Sequence, residues 1–300
     1  MDRLAELKTL VAIVDCGSLS AAGRILRRSL PAVSRDLASL EHRIGTRLVE
    51  RSTKCCRATP AGARLADHAR QLLANYDDAV GEAAGERTTA SGEVRLTAPT
   101  GFGRDHVAPL IFDFLGRYPA IRIELYLADR MVHLVDEEYD LAVRIGHLPD
   151  SALLSRKVGE VRSVVVASPA YLQARGTPQS PADLGSHEMI QHTGLGAGSS
   201  SGLRALGRRG ADIAIDCRLA VNQAETAIAA ARDGLGLVHV LSHQVAADLK
   251  SGMLVRVLQP WEPDAVPVSL VWPESRRRWR RIRLLVDHLA DELAALEVLQ

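Results

Sequence analysis

Residues 17–35 read GSLSAAGRILRRSLPAVSR, a stretch typical of two short helices joined by a tight turn. We expect Ser20 to cap the first helix, because a serine oxygen accepts hydrogen bonds from the free N–H groups at a helix start. We expect Ser29 to cap the second helix, with Pro31 in its first turn, where a proline costs no intrahelical hydrogen bond. The apolar residues of the second helix recur at helical spacing: Val33, Leu37, Leu40 and Ile44. The pattern predicts a helix-turn-helix.

The residues around this turn predict a winged head. An earlier helix has its apolar residues on one face: Leu4, Leu7, Val11 and Val14. After the second turn helix, Gly45 is a typical C-terminal glycine, and residues 46–59 have the pattern of two strands with a basic tip between them. Phosphate contacts give a DNA-binding protein its affinity and register. The wing offers three cations for them: Arg51, Lys54 and Arg57.

Charge is unevenly divided along the chain. Residues 1–59 contain eleven Lys/Arg and six Asp/Glu, which gives a net charge of +5. The other 241 residues contain 26 Lys/Arg and 30 Asp/Glu, which gives a net charge of −4. A basic head on a mildly acidic body indicates a polyanionic partner for the head alone. The reading helix has small or polar side chains on its outer face, as entry into a ~12 Å major groove requires.

Several motifs of the head resemble the winged helix-turn-helix of LysR-type transcriptional regulators. They follow in order as residues 17–22 (GSLSAA), 31–35 (PAVSR), 47–51 (RLVER) and 59–62 (TPAG). The resemblance implies sequence-specific binding to double-stranded operator DNA. It places these residues at the DNA: Ser20, Ser29, Leu30, Pro31, Ala32, Ser34, Arg35, Asp36, Ser39, Arg51, Lys54 and Arg57.

Two residues of the reading helix depart from the family pattern. Where the family commonly has a glutamine that can bond a base edge, this chain has Leu30, which can contact only a thymine methyl group. Asp36 places a carboxylate there, which disfavours phosphate and can accept a hydrogen bond from a cytosine amino group. The resemblance therefore supports DNA binding more strongly than it defines the operator sequence.

A long helix is predicted after the wing. Thr59 is a suitable N-cap and Pro60 a suitable first residue, and some 26 residues of helix would span roughly 39 Å. Its apolar stripe favours pairing with a second copy, and packing onto the chain's own body is the alternative. The proposed dimerisation residues are Leu65, Leu72, Tyr76 and Val80. Residues 86–92 are small and polar, as in a hinge.

From Glu93 onward strands alternate with helices, which is typical of a parallel α/β sheet. Predicted strands are 94–98, 121–125, 141–145, 161–167, 212–216, 219–221, 237–241 and 268–272, and predicted helices include 103–118, 132–138, 224–232 and 277–296. Residues 140–146 (DLAVRIG) and 166–172 (VASPAYL) resemble the LysR effector-binding domain, which is like periplasmic solute-binding proteins. The fold class is thus an α-helical winged helix-turn-helix (1–59), a linker helix and hinge (60–92), and a two-lobed α/β effector domain (93–300). Lobe I comprises 93–163 and 268–300, and lobe II comprises 164–267.

The resemblance implies a small-molecule effector between the lobes. Ligands of such sheets bind beyond the carboxyl ends of strands, and a helix N-terminus there favours a carboxylate. The candidate contacts are Pro99, Thr100, Asp129, Arg144, Thr193 and Gly194. Arg144 is either an anion clamp or one half of a structural salt bridge. Residues 193–210 lack the tryptophan-containing stretch of many relatives. The resemblance therefore assigns no ligand contacts in this chain to that stretch of the lobe II wall.

No catalytic or metal-binding pattern emerges. Residues 198–202 (GSSSG) match a nucleophile elbow in letters, but Ser200 lies among small residues typical of a loop. The four cysteines and ten histidines show no ligand spacing, so we expect no metal, no cofactor and no enzyme activity. With no apolar run of membrane length and no leader pattern, we expect a cytoplasmic protein without membrane contact.

The basic run at residues 276–283 is expected to begin a helix packed on lobe I, with its arginines facing water. A dimer contact and a second DNA site are the alternatives.

Three functional classes are compatible with parts of the sequence. A solute-binding protein or a Rossmann-type enzyme explains only the body, whereas a transcription regulator explains head, long helix and body together. The predicted partners are operator DNA, a small anionic metabolite, further copies of the chain as a dimer or tetramer, and RNA polymerase.

Overall fold

The computed structural model describes residues 2–51, 56–83, 90–148, 153–193, 217–277 and 279–299. The chain divides into two compact units. The first comprises Met1–Glu93 with Ala120–Arg122, and the second comprises Val94–Pro119 with Ile123–Gln300. The predicted strand 212–216, the GSSSG stretch with Ser200, Gly194 and Lys54 lie outside the described residues.

The first unit is a winged helix-turn-helix followed by a long helix. Its elements are α1 (Arg3–Cys16), α2 (Leu19–Ile25), α3 (Leu30–Ile44), β1 (Val49–Arg51), β2 (Cys56–Ala58) and α4 (Pro60–Ala83). The strands β1 and β2 pair antiparallel, as predicted for a wing. The stripe on α3 packs with α1 residues into one core that includes Leu10, Ile13, Val33, Leu37 and Leu40. Burial of these side chains is the main force that holds the three helices together.

The helix caps were predicted with mixed success. Ser20 is not the cap of α2; Ser18 is, because its hydroxyl accepts from the Ala21 N–H at 3.4 Å. Gly17 ends α1 in a left-handed conformation, so α2 begins directly after Ser18. The prediction for Thr59 is confirmed, since its hydroxyl accepts from the Gly62 N–H at 3.0 Å at the start of α4.

The second unit contains two five-stranded sheets, one for each lobe. Its strands are β3 (Gly92–Ala98), β4 (Ile121–Leu127), β5 (Leu141–Ile145), β6 (Leu153–Val161), β7 (Ser163–Ala167), β8 (Met189–His192), β9 (Cys217–Val221), β10 (Leu237–Leu241), β11 (Val255–Val257) and β12 (Val266–Pro273). The lobe I sheet has the order β4-β3-β5-β12-β6, and the lobe II sheet has the order β11-β7-β10-β8-β9. The chain therefore crosses between lobes after β6 and before β12.

The helices of this unit support the two sheets. They are α5 (Thr100–Phe102), continued by a π-helical turn (Gly103–Val107) and α6 (Ala108–Arg117), then α7 (Pro169–Arg175), α8 (Ala224–Arg232), α9 (Ala246–Ser251) and α10 (Arg280–Ala294). In lobe II, α8 packs its alanine-rich face on the sheet, in a core with Val164, Ile190 and Val240. The π-helical turn directly follows α5, which itself follows the end of β3. Single π-helical turns are often found at functional sites.

Three expectations about this unit are wrong. The sheets are mixed rather than parallel, because β12 is antiparallel to β5 and β6, and β7 is antiparallel to β10 and β11. The first helix after β3 begins at Thr100 rather than near Gly103. Residues 132–138 form turns instead of a helix, because Leu134 and Tyr139 are anchored in a small lobe I core.

The basic run of residues 276–283 does not simply face water. Arg281 is fully buried, and its guanidinium lies 4.3 Å from the ring centre of Trp279. Arg276 stacks on the same ring at 3.8 Å, and its Nε lies 3.1 Å from the Asp140 carboxylate. The ion pair with Asp140 thus ties the segment before α10 to lobe I, and the cation–π contacts order that segment locally. Arg281 is buried and therefore structural, and Arg276 is engaged by Trp279 and Asp140.

Candidate DNA-binding surface and effector cleft

The N-terminal half of α3 presents an exposed strip of short side chains. Leu30, Pro31 and Arg35 are exposed, whereas Ala32 and Ser34 are half-buried. Ser29 and Ser20, from the neighbouring turn and α2, are exposed as well. Only Arg35 among them carries a charge, so a duplex can approach the helix closely while one guanidinium is placed to reach phosphate or guanine.

Asp36 and Ser39 turn away from this strip toward α1. The Asp36 carboxylate accepts a hydrogen bond from Thr9 at 3.0 Å and forms an ion pair with Arg28. The Ser39 hydroxyl donates to Glu6 at 2.6 Å. Because both side chains have partners within the head, they position α3 and Arg28 rather than read a base. We therefore propose no base contact for these two residues, and the other ten DNA contacts remain predictions.

Glu6, the partner of Ser39, links α1 to α3 through two hydrogen bonds. It is buried on α1, and its carboxylate accepts from Ser39 and from Arg43 at 2.6 Å. Hydrogen bonds from Ser39 and Arg43 hold the pKa of Glu6 below its ordinary value. A carboxylate whose pKa is lowered by folding stabilises the folded head most at pH values at which it is ionised in both the folded and the unfolded chain.

We expect Glu6→Gln to lower the free energy of unfolding by about 1.5–3 kcal/mol at pH 7, the range for hydrogen bonds to a charged group. The stability that Glu6 contributes is complete above the pKa of an unfolded glutamate and is lost as pH falls through its own lower pKa. The difference between variant and wild type should therefore shrink below about pH 4.5. Urea unfolding at pH 7 and pH 4 measures it, and a difference that stays constant with pH would contradict this role.

The described part of the wing supports phosphate contact by one of its three predicted cations. Arg57 is exposed on β2, opposite Glu50 in the β1–β2 pair. Arg51 ends β1, but its side chain lies outside the described residues, as does Lys54. Arg47, just before β1, is a further exposed cation near the wing. Arginine contacts to phosphate give affinity without sequence preference, so Arg47 and Arg57 remain predicted phosphate contacts.

The stripe on α4 divides into two parts. Leu65 packs against the core of the head, so it is occupied within the chain itself. Leu72, Tyr76 and Val80 are 47%, 47% and 50% exposed. Such large apolar side chains in a row along one helix mark a surface suited to association. The helix itself is tied to α1 by the ion pairs of Arg70 with Asp15 and of Lys8 with Asp77.

Lobes I and II enclose a cleft of about 360 Å³, which is in the size range of small-molecule sites. Four of the six predicted effector contacts line it, all from lobe I: Pro99, Thr100, Asp129 and Arg144. The Asp129 carboxylate accepts from the Thr100 N–H at 2.8 Å. This N–H is therefore already satisfied, so it is not available to an anionic ligand as long as Asp129 holds it.

Two arginines of lobe I line the cleft; Arg130 is paired with Glu137, which leaves Arg144. Its guanidinium is half-buried and donates to the Val132 carbonyl, and no carboxylate of the described residues lies within ion-pair distance of it. Burial lowers the pKa of Arg144 from its ordinary value, although an arginine remains charged at neutral pH. A desolvated guanidinium without a counter-ion favours an anionic ligand.

Lobe II contributes polar side chains that the sequence did not single out. They are His192, Gln223, Glu225, His243 and Gln244. Glu225 forms an ion pair at 2.8 Å with Arg104 of the π-helical turn, which links the two lobes. Thr193 is exposed outside the cleft lining, with its N–H bonded to the Val221 carbonyl at 2.7 Å. No sequence spacing pointed to the histidines, because they are 51 residues apart and belong to different elements.

A larger cavity of about 660 Å³ lies in lobe I and shares Arg144 with the cleft. Its other walls are largely apolar, including Met131, Leu134 and Leu153. The cleft is the better candidate because polar groups from both lobes converge there. Within the described ranges, no three His, Cys, Asp or Glu side chains come together as metal ligands.

Comparison with known proteins decides the family. The model of the bacterial regulatory helix-turn-helix of the LysR family matches residues 4–63, and that of the LysR substrate-binding domain matches residues 87–294. The chain belongs to the LysR family of transcriptional regulators. As members of a non-enzymatic family, LysR-type regulators bind DNA and small-molecule effectors and form oligomers, so the enzyme alternative is excluded.

Relatives of this LysR-type regulator match over nearly the whole chain. The probable HTH-type transcriptional regulator LtrA of Klebsiella pneumoniae is 32% identical, over 99% of this chain and 96% of its own. The HTH-type transcriptional activator TtdR of Escherichia coli is 29% identical, over 95% of this chain and 92% of its own. The LysR-type regulator CrgA of Neisseria meningitidis has a similar structure, with a TM-score of 0.62, 29% identity, and coverage of 96% of this chain and 98% of CrgA. No helix in the described part of this regulator has the length and apolar character needed to cross a membrane.

Proposed function

We propose that this LysR-type regulator binds a specific operator through its winged head and is controlled by a small anionic effector held between lobes I and II. The observation that carries the effector class is Arg144, a half-buried guanidinium without a carboxylate partner among the described residues of the cleft. Pro99, Thr100 and Asp129 line the same cleft and belong to its lobe I wall.

The proposed division of labour follows the predicted boundaries. Residues 1–59 bind DNA, 60–92 join two copies, and 93–300 bind the effector. Pairing of two copies through Leu72, Tyr76 and Val80 would present two heads to one operator, as a dimer or as part of a tetramer. The protein works in the cytoplasm, where an effector-induced change in the lobes alters the spacing of the heads and the recruitment of RNA polymerase.

DNA binding is tested with the DNA that flanks the protein's own gene, because regulators of this kind often act on a neighbouring promoter. We expect saturable binding to one short region, in excess of competitor DNA, with an affinity that falls as salt rises. Arg35→Gln should weaken specific binding by about 1–3 kcal/mol, since its guanidinium is placed at the DNA.

Arg117→Gln is the matched control, because this exposed arginine lies on α6 in the effector unit and pairs with Asp113. It should leave both the affinity and its salt dependence unchanged. Equal affinity for Arg35→Gln and wild type would remove this residue from the contact surface. A wild-type protein that fails to bind any DNA at low salt would contradict the proposed function as a whole.

A further inference from the structure

Two histidines in the lobe II wall are buried and incompletely hydrogen bonded. His192 ends β8, and His243 lies in the short turn Ser242–Gln244 after β10; each is only 7% exposed. Among the described residues, no side chain is hydrogen bonded to either ring nitrogen of His192, whose ring lies beside the Asn222 backbone, and Nδ1 of His243 has no partner. Buried polar atoms normally have a partner. Two such side chains in the lining of one cleft point to a ligand.

His243 is packed against lobe I across the cleft. Its ring centre lies 5.1 Å from that of Phe102 in α5 and 5.5 Å from that of His106 in the π-helical turn. The charged group facing it is Asp105, whose carboxylate is held by Arg104 at 2.7 Å. Burial lowers the pKa of His243 to about 4 and also lowers the pKa of His106.

His192 faces two acids and another histidine. These are Asp129 after β4, Glu225 in α8 and His239 in β10. Asp129 is bound to the Thr100 N–H and Glu225 to Arg104, so both carboxylates already have partners. Burial lowers the pKa of His192, and the imidazole is therefore neutral at pH 7. The lobe II wall thus offers uncharged imidazoles, and the lobe I wall offers two guanidinium groups, of which Arg130 is paired with Glu137 and Arg144 is not.

We propose that His192 and His243 are the lobe II contacts of the effector, and that the effector is a small carboxylate whose binding takes up one proton onto this histidine pair. The inference rests on the proposed function of the cleft. The carboxylate lies between Arg144 and the imidazoles, and a ring nitrogen that gains a proton from solvent donates a hydrogen bond to it. A negative charge beside a buried imidazole favours its protonated form, so the effector binds more tightly as pH falls.

Calorimetric titration of the full-length protein tests this with sodium lactate, sodium succinate and sodium benzoate as probes at constant ionic strength. Measurements run from pH 6 to pH 8 in two buffers of different protonation enthalpy. We expect binding of at least one probe, an affinity that rises as pH falls, and a net proton uptake that is larger at pH 6 than at pH 8. This measurement needs no variant, so it is independent of any effect of substitution on folding.

His243→Gln and His192→Gln should weaken the affinity and flatten its pH dependence, a change that a purely structural role would not produce. His68→Gln is the matched control, because this histidine is exposed on α4. Binding without proton uptake, or an unchanged pH slope in both cleft variants, would overturn the histidine assignment. Failure of all three probes would overturn the carboxylate class. DNA binding measured on the same samples distinguishes failure of this inference from failure of the proposed function. If the effector test fails while wild-type DNA binding is intact, only this inference is contradicted. If the wild-type protein does not bind DNA, the proposed function is contradicted as well.

Discussion

Gly62→Ala is expected to unfold or displace the start of α4 and to abolish DNA binding. A Cβ atom at position 62 would lie 1.9 Å from the carbonyl oxygen of Leu48 and 2.8 Å from its carbonyl carbon. Both are main-chain atoms, so no side-chain rotation relieves the clash. The same carbonyl accepts from the Thr59 N–H at 2.9 Å, and Leu48 is buried in the core of the head. The helix and the wing must therefore move apart together.

The expected cost is about 3 kcal/mol of unfolding free energy, at the upper end of the range for overpacking. Thermal and urea unfolding measure it, and DNA binding reports on the position of the wing. Gly116→Ala is the control, because a Cβ on this α6 residue meets nothing within 4 Å. An alanine there should stabilise the helix slightly. Equal stability of Gly62→Ala and wild type would show that α4 does not contact the wing as described.

Charging the exposed face of α4 is expected to separate the proposed dimer. In the double variant Leu72→Glu, Tyr76→Glu, two carboxylates replace apolar side chains that are both 47% exposed in the single chain. If these side chains pack against a second copy, the like charges must be desolvated there, and the dimer dissociates. The affinity for an operator with two half-sites should then fall by about 100-fold or more, because the second head no longer binds at high effective concentration.

Sedimentation velocity gives the oligomeric state, and titration with one-half-site and two-half-site duplexes gives the loss of avidity. Gln71→Glu is the control, because it adds a carboxylate to the same helix about a quarter turn away from Leu72. It should remain oligomeric. A double variant that sediments like wild type would place the association surface elsewhere on the chain.

The electrostatic contacts within the head show where local patterns lose their predictive power. The stripe of Val33, Leu37, Leu40 and Ile44 follows from spacing along one helix; the first three residues are buried as expected, whereas Ile44 in the last turn is exposed. Asp36 and Ser39 lie on the same helix, but their partners Thr9 and Glu6 are 27 and 33 residues away. Which polar residue of a helix faces a neighbouring helix depends on the angle at which the two pack. The charge of Asp36 alone could not show that it is neutralised by Arg28.

The cleft shows the same division. Pro99 and Thr100 of its lobe I wall were predicted because the LysR resemblance places ligand contacts after the first strand of this domain, and Arg144 was a weaker candidate near the end of another strand. The lobe II wall was not predicted, because His192 and His243 come together only when β8 and β10 pair in parallel and the chain closes lobe II onto α5. The occupied Thr100 N–H is likewise a tertiary contact, since Asp129 reaches it from the end of β4.

The winged helix-turn-helix, the capped start of α4, the basic head and the LysR resemblance could all be predicted from the sequence. Each of these depends on residue types within a few turns of one another, where helix period, caps and turns act locally. The packed structure was needed to show which polar residues of the head are exposed, which carboxylates already have partners, and which histidines line the cleft. Those properties depend on contacts between residues far apart in the chain, and burial and pairing exist only after the elements have packed.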